Sequence, residues 1–88
     1  MDTKQAVKDL LALPELVDSP AWERFDCLEY DDAAAYIAED IYEFHIRVSE
    51  DQRAALLQGI RQYAHGDELT IAAYARLLEP ENWKTDVN

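Results

Sequence analysis

Apolar residues recur along this chain at the spacing of helices. Over Thr3 to Leu13, the residues Ala6, Val7, Leu10, Leu11 and Leu13 form one stripe, because positions three or four apart share a helix face. Asp2, with Gln5 three residues on, resembles a capping box. Pro14 disfavours helical geometry at Leu13, so the helix is expected to end there. "DSPAWERFDCLEY" opens a second, shorter helix. Ser19 suits its cap and Pro20 its first position, with Trp22, Phe25 and Leu28 expected to face inward.

The third helix begins in "DDAAAYIAEDIYEFHIRVSED". Asp31 or Asp32 is expected to cap it. Ile37, Ile41, Phe44 and Val48 recur at spacings of four, three and four, which defines its apolar face. At about 100° per residue, the opposite side collects Asp32, Glu39 and Glu43, with Ala35, Tyr42 and Ile46 among them. Ser49 and Gln52 spell a capping box for a fourth helix, with Glu50 and Asp51 in its first turn. That helix is expected to run to about His65 and to bury Leu56, Leu57, Ile60, Tyr63 and Ala64. Gly66 closes it. Gly59 lies inside this helix at a propensity cost of up to about 1 kcal/mol, which predicts a neighbouring helix close against it. "GDELTIAAYARLLEP" is the fifth helix, with Thr70 as its cap, Leu69 and Tyr74 at staple positions and Pro80 after its end.

The fold class that follows is all-α, a compact bundle of four to five short helices in a single domain, 1–88. Residues 81–88 lack periodicity and are expected to form a loosely ordered tail, from which Trp83 packs back on the bundle. Composition supports this reading. Hydrophobic residues make up 49% of the 88, glycines number two and prolines three, which favours helices over strands and turns. A lone cysteine, Cys27, forms no internal disulfide, and a reducing compartment is therefore expected. The acidic start and interrupted apolar run of "MDTKQAVKDLLALPEL" do not match a signal peptide. No run approaches the roughly 18 apolar residues of a membrane span. A cytoplasmic location is expected.

Chemistry is hard to find. His45 and His65 are the only histidines, and they do not form a His-x-x-x-His pair. Tyr42 and Gln62 occupy the positions three before them, where di-iron bundles carry glutamate. The acidic stretches lack the central glycine of a calcium loop. Two glycines seven residues apart cannot build a phosphate-cradling loop. Cys27 sits beside Phe25 and Leu28, the setting of a small buried hydrophobe rather than a nucleophile. Neither metal, cofactor nor enzymatic activity is expected. "LVDSP" resembles the prosthetic-group serine of acyl carrier proteins, but proline follows Ser19 and the Asp-Ser-Leu of that family is missing. "RAALLQGIRQYAHGDELTIAAYARLL" resembles a helix-turn-helix, yet Arg76 is the only base on its would-be recognition helix, too few for phosphate and base contacts.

Charge changes the picture. Nineteen acids face eight bases, giving a formal net charge of −11. That disfavours direct nucleic-acid binding and anionic membranes and suits a basic partner. Between Glu23 and Asp51 there are ten acids against Arg24 and Arg47, so this third of the chain carries −8 of the −11. Helix starts explain Asp31, Asp32, Glu50 and Asp51 through the dipole. They do not explain Glu39, Asp40 and Glu43. The expected partner-binding residues are therefore Glu29, Asp31, Asp32, Glu39, Asp40, Tyr42, Glu43 and Ile46, with Tyr42 and Ile46 as desolvated anchors. The expected partner is a protein with a basic surface, such as a nuclease or nucleic-acid-binding complex, and the expected role is that of an inhibitor or nucleic-acid mimic. In size and charge the chain resembles small phage-encoded inhibitors of bacterial defence, anti-CRISPR proteins among them, and the immunity proteins of nuclease bacteriocins. The His-Pro and Tyr-Tyr-Pro elements associated with bacteriocin immunity are absent. The alternative is a small regulatory or structural helical subunit, homodimeric through Tyr42, Ile46 or Trp83.

Overall fold

Helix α1, Thr3–Leu11, starts at Asp2, whose carboxylate accepts the Gln5 backbone N–H at 2.9 Å. In a computed structural model that describes residues 1–83, it is followed by a 3₁₀ turn, Pro14–Leu16, and helix α2, Ala21–Asp26. Helix α3 is Tyr30–Phe44, α4 is Glu50–Tyr63 and α5 is Glu68–Leu77, and a second 3₁₀ turn covers Pro80–Asn82. Among the described residues there is no strand, and the fold is an all-α bundle. The radius of gyration of 12.0 Å equals the roughly 12 Å expected of a compact chain this long.

Helix α3 is the axis of the bundle, because α1, α2, α4 and α5 all pack on it. Ala33, Ala34, Ala35, Ile37, Ala38 and Ile41 are all buried. Four neighbours cover more of its circumference than one apolar stripe would. This corrects the outward placement of Ala35, which is 2% exposed. Leu11, Leu16, Leu56, Ile60 and Leu78 complete the dry interior, each large side chain contributing about 1.5–3 kcal/mol through burial.

Small residues close the seam between α1, α3 and α4. A Cβ built on Gly59 would lie 2.5 Å from Thr3 Cγ2 and 3.3 Å from Ala34 Cβ. Thr3 Oγ1 donates to the Ala55 carbonyl at 2.8 Å across the same seam. The close approach expected at Gly59 is thus present, and it involves two helices.

Helix termini follow local chemistry with instructive departures. The Ser49–Gln52 capping box forms in full. Helix α5 begins earlier than expected, because Asp67 rather than Thr70 is its cap; the Asp67 carboxylate accepts both the Thr70 backbone N–H and its hydroxyl. Its Leu69 is 83% exposed. Helix α3 has no side-chain cap: Glu29 precedes it, and Asp31 and Asp32 lie in the first turn. Three helices close through left-handed residues, Leu28, His45 and His65. The 6→1 bonds from Glu29 N–H to Arg24 O, from Ile46 N–H to Ile41 O and from Gly66 N–H to Arg61 O mark these reversals. Gly66 itself also has a positive φ, 79°. Leu28 turns outward at its reversal, and Trp22 lies half outside with its Nε1–H donating to Leu16 O at 2.9 Å. Of the three side chains expected inward from α2, only Phe25 packs on the core. Tyr63 of α4 is likewise exposed rather than buried, and Ala64 is half-buried.

The second 3₁₀ turn docks on the bundle. Arg53 Nε–H donates to Leu78 O, Asn82 Nδ2–H to Arg76 O, and His45 Nδ1–H to Asn82 O, each at 2.9 Å. Trp83 packs against the core, as expected. Glu81 and Asn82 of the expected tail belong to this turn, and the rest of it, 84–88, lies outside the described residues.

Candidate functional site: an acidic ridge between two grooves

One turn of α3 separates Glu39 from Glu43, which places both on the outer surface about 6 Å apart along the axis. Both are exposed. To one side runs an open groove of about 670 Å³ between α3 and α5, lined by Glu39, Tyr42, Glu43, Ala73, Tyr74 and Leu77. To the other side is a depression of about 370 Å³. The first 3₁₀ turn and its exit bring Glu15, Val17, Asp18, Ser19 and Pro20 to it, facing Tyr36, Asp40 and Phe44 of α3. The two glutamates line both hollows and so form a ridge between them. No lysine or arginine among the described residues lines either one.

Tyr74 has a fixed position in the first groove. Its hydroxyl donates to Glu39 Oε2 at 3.3 Å, and Tyr63 meets its ring edge-on at 5.8 Å. Burial above all, then the neighbouring Tyr63 and the Glu39 carboxylate, hold the Tyr74 phenol well above its ordinary pKa. The hydroxyl therefore stays protonated and remains a donor at neutral pH.

Asp40 faces the second hollow. Its carboxylate accepts the Ser19 hydroxyl at 2.5 Å, while Ser19 Oγ accepts the Ala21 N–H at 3.0 Å. Partial burial raises the Asp40 pKa, the Ser19 hydrogen bond opposes that rise, and repulsion from Glu43 and Glu39 adds to it. Ser19 thus ties the start of α2 to the middle of α3, while Pro20, expected at the first helical position, stands at the N-cap position in place of Ser19.

The expected site residues separate into three groups. Glu39, Asp40, Tyr42 and Glu43 come together on the ridge and its flanks. Glu29, Asp31 and Asp32 lie at the far end of α3, Asp31 about 12 Å along the axis from Glu39. Asp32 falls on the ridge side of the helix, whereas Asp31 is turned about 100° away. Partial burial, with help from Asp32, raises the Asp31 pKa. Glu29 is neutralised by Arg24 at 3.1 Å. The eight residues therefore do not form one continuous face. Ile46 is a correction: it is 7% exposed and belongs to the core. Helix α3 stops at Phe44 and His45 turns left-handed, so residue 46 leaves the helical projection and points inward. Phe44, expected on the apolar face, is 43% exposed and lines the second hollow. Ile46 and Trp83, two of the three residues expected at a homodimer contact, face the core; Tyr42 is 47% exposed.

Sequence reasoning missed Glu15 and Asp18 on one side of the ridge, and Ala73, Tyr74 and Leu77 on the other. Tyr74 and Leu77 are three residues apart, a spacing that marks a shared helix face but not what lies opposite it. Glu15 and Asp18 carry no periodic signal, because one lies in a three-residue turn and the other in its exit.

No group of three or more histidine, cysteine or acidic residues among the described residues has metal-holding geometry. Cys27 is exposed rather than a buried hydrophobe. No described helix is long and apolar enough to cross a membrane. Comparison with protein-family models, curated proteins and solved structures finds no match.

Proposed function

We propose that this chain is a non-enzymatic, acidic protein-binding module that inhibits a basic, nucleic-acid-handling protein by occupying the surface that holds phosphates. The observation that carries this reading is the Glu39–Glu43 ridge, flanked by two hollows that no lysine or arginine among the described residues lines. Glu39, Asp40 and Glu43 put three carboxylates within about 6 Å of helix axis. Duplex DNA carries one charge per roughly 1.7 Å of axis, a comparable linear density. A groove that attracts phosphates would attract this ridge for the same reason, with association hastened by the long-range field. Glu15 and Asp18 widen the charged zone, and Tyr42 offers apolar area at its edge. A cytoplasmic setting belongs to the same proposal and rests on the lone cysteine.

The test uses charge reversal at two exposed positions, of which Glu39 also accepts the Tyr74 hydroxyl. Wild type and the Glu39→Lys/Glu43→Lys variant are immobilised in parallel, and proteins captured from host lysate at low and raised salt are identified. Each captured protein is then purified and its binding measured with duplex DNA as competitor. The expected result is a nucleic-acid-binding protein that the wild type holds at low salt, that DNA displaces, and that the variant fails to hold while its circular dichroism stays helical. A partner bound equally by both chains, or one indifferent to salt and DNA, would overturn the proposal.

A further inference from the structure

The α3–α5 groove combines features that charge alone does not require. Its walls are tyrosine, leucine and alanine, and its rim is two carboxylates. Among the described residues neither Glu39 nor Glu43 forms an ion pair. A phosphate or carboxylate would be repelled from this rim. A purely apolar side chain would take up the walls but desolvate the glutamates without compensation. A metal ion is disfavoured because no converging ligand set exists there among the described residues.

We infer that this groove is a receiving site for an arginine side chain presented by the basic partner. The inference rests on the proposed docking of such a partner and names the group it recognises. A guanidinium is planar and weakly hydrated, so it leaves water for an aromatic wall more readily than an ammonium does. Stacked against Tyr42 or Tyr74, it gains the attraction of the ring face. Its fork of N–H donors matches a carboxylate in two-point contact. Glu43 is free of hydrogen bonds among the described residues, and Glu39 is oriented by the Tyr74 hydroxyl. The Tyr63 edge contact holds the Tyr74 ring in place before any ligand arrives, so little side-chain freedom is lost on binding. The arginine stem lies along Leu77 and Ala73.

Blocked hexa-arginine and hexa-lysine peptides carry equal charge and separate this inference from general acidity. Affinities for the purified chain are measured by calorimetry at low salt, with ring resonances followed by NMR. Hexa-arginine is expected to bind about two- to fivefold more tightly, with shifts at Tyr42 and Tyr74. Tyr42→Leu, at an exposed position, and Tyr74→Leu, which keeps an apolar wall, should each reduce the arginine preference while leaving salt-sensitive binding of both peptides. Glu39→Lys/Glu43→Lys should weaken both peptides. Equal affinity for the two peptides, or a preference untouched in Tyr42→Leu and Tyr74→Leu, would overturn the arginine site while leaving the acidic docking proposal standing. Failure of the wild type to bind either peptide would overturn both.

Discussion

Helix α3 meets its neighbours through two seams of opposite character. Against α1 and α4 it is closed: Ala34 and Gly59 let the backbones approach until Thr3 fills the last space. Against α5 it is open: Tyr42, Tyr74 and Leu77 wall a groove of about 670 Å³ with Glu39 and Glu43 at its rim. Small side chains allow helices to close, whereas aromatic and charged ones leave room between them. One helix thereby supplies stability through one face and the proposed recognition surface through another. Substitutions on the closed seam should disturb folding, and those on the open seam should disturb binding.

The largest effect should follow truncation of the core face. Ile41 is fully buried, and Ile41→Ala is expected to cost about 2–5 kcal/mol from lost burial and the remaining cavity. Its neighbour Tyr42 lines the groove, and Tyr42→Ala should change stability by about 0.5 kcal/mol or less, as at other exposed positions. Urea unfolding of the two variants compares the seams directly. Comparable losses in both would erase the distinction.

Next in size is overpacking of the closed seam. Gly59→Ala places a methyl group against Thr3 Cγ2, while the Thr3 hydroxyl is held by Ala55 O. Overpacking costs about 1–3 kcal/mol, against a propensity gain of up to about 1 kcal/mol. A net loss is expected. Thr3→Ser removes the clashing carbon and keeps the hydroxyl, so Gly59→Ala should be tolerated better in that background. Additive losses in the double-mutant cycle would show that the seam has slack elsewhere.

The same contrast explains how much was legible in the sequence. Periodicity locates all five helices, and the Ser49–Gln52 box is legible because it belongs to a single element; Gly59 announces a close neighbour without saying that α1 and α3 both supply it. The apolar face of α3 was read too narrowly. A central helix buries alanines such as Ala35 on flanks that one stripe does not include, and nothing in the sequence declares which helix is central. Ile46 was misplaced by projecting an ideal helix past Phe44, where no glycine announces the left-handed turn at His45. The ridge carboxylates Glu39, Asp40 and Glu43 were legible as unexplained charge in mid-helix. Their flanks were not, since Glu15, Asp18 and Tyr74 join them only through packing of distant segments.

The smallest expected effect tests whether charge on α3 opposes the fold. Asp40 lies on the side of the ridge away from α5, where its carboxylate accepts the Ser19 hydroxyl and faces repulsion from Glu43 and Glu39. Its folded pKa is raised, chiefly by partial burial. The folded chain then binds this proton more tightly than the unfolded chain does. Stability from this group is fully present below the unfolded carboxylate pKa of about 4 and is lost as pH rises through the folded value. At neutral pH the ionised form is a net cost. Asp40→Asn removes that charge and still offers Ser19 an oxygen acceptor. It should stabilise the chain at pH 7 by about 1 kcal/mol or less, the effect being limited by solvent screening at a half-buried site. The gain should shrink as pH falls toward 4, and at pH 7 added salt should reduce the part due to repulsion. If Asp40→Asn instead destabilises the chain at pH 7, the charge-assisted bond from Ser19 outweighs burial and repulsion, and this acid belongs with the residues that hold the fold rather than with those that oppose it.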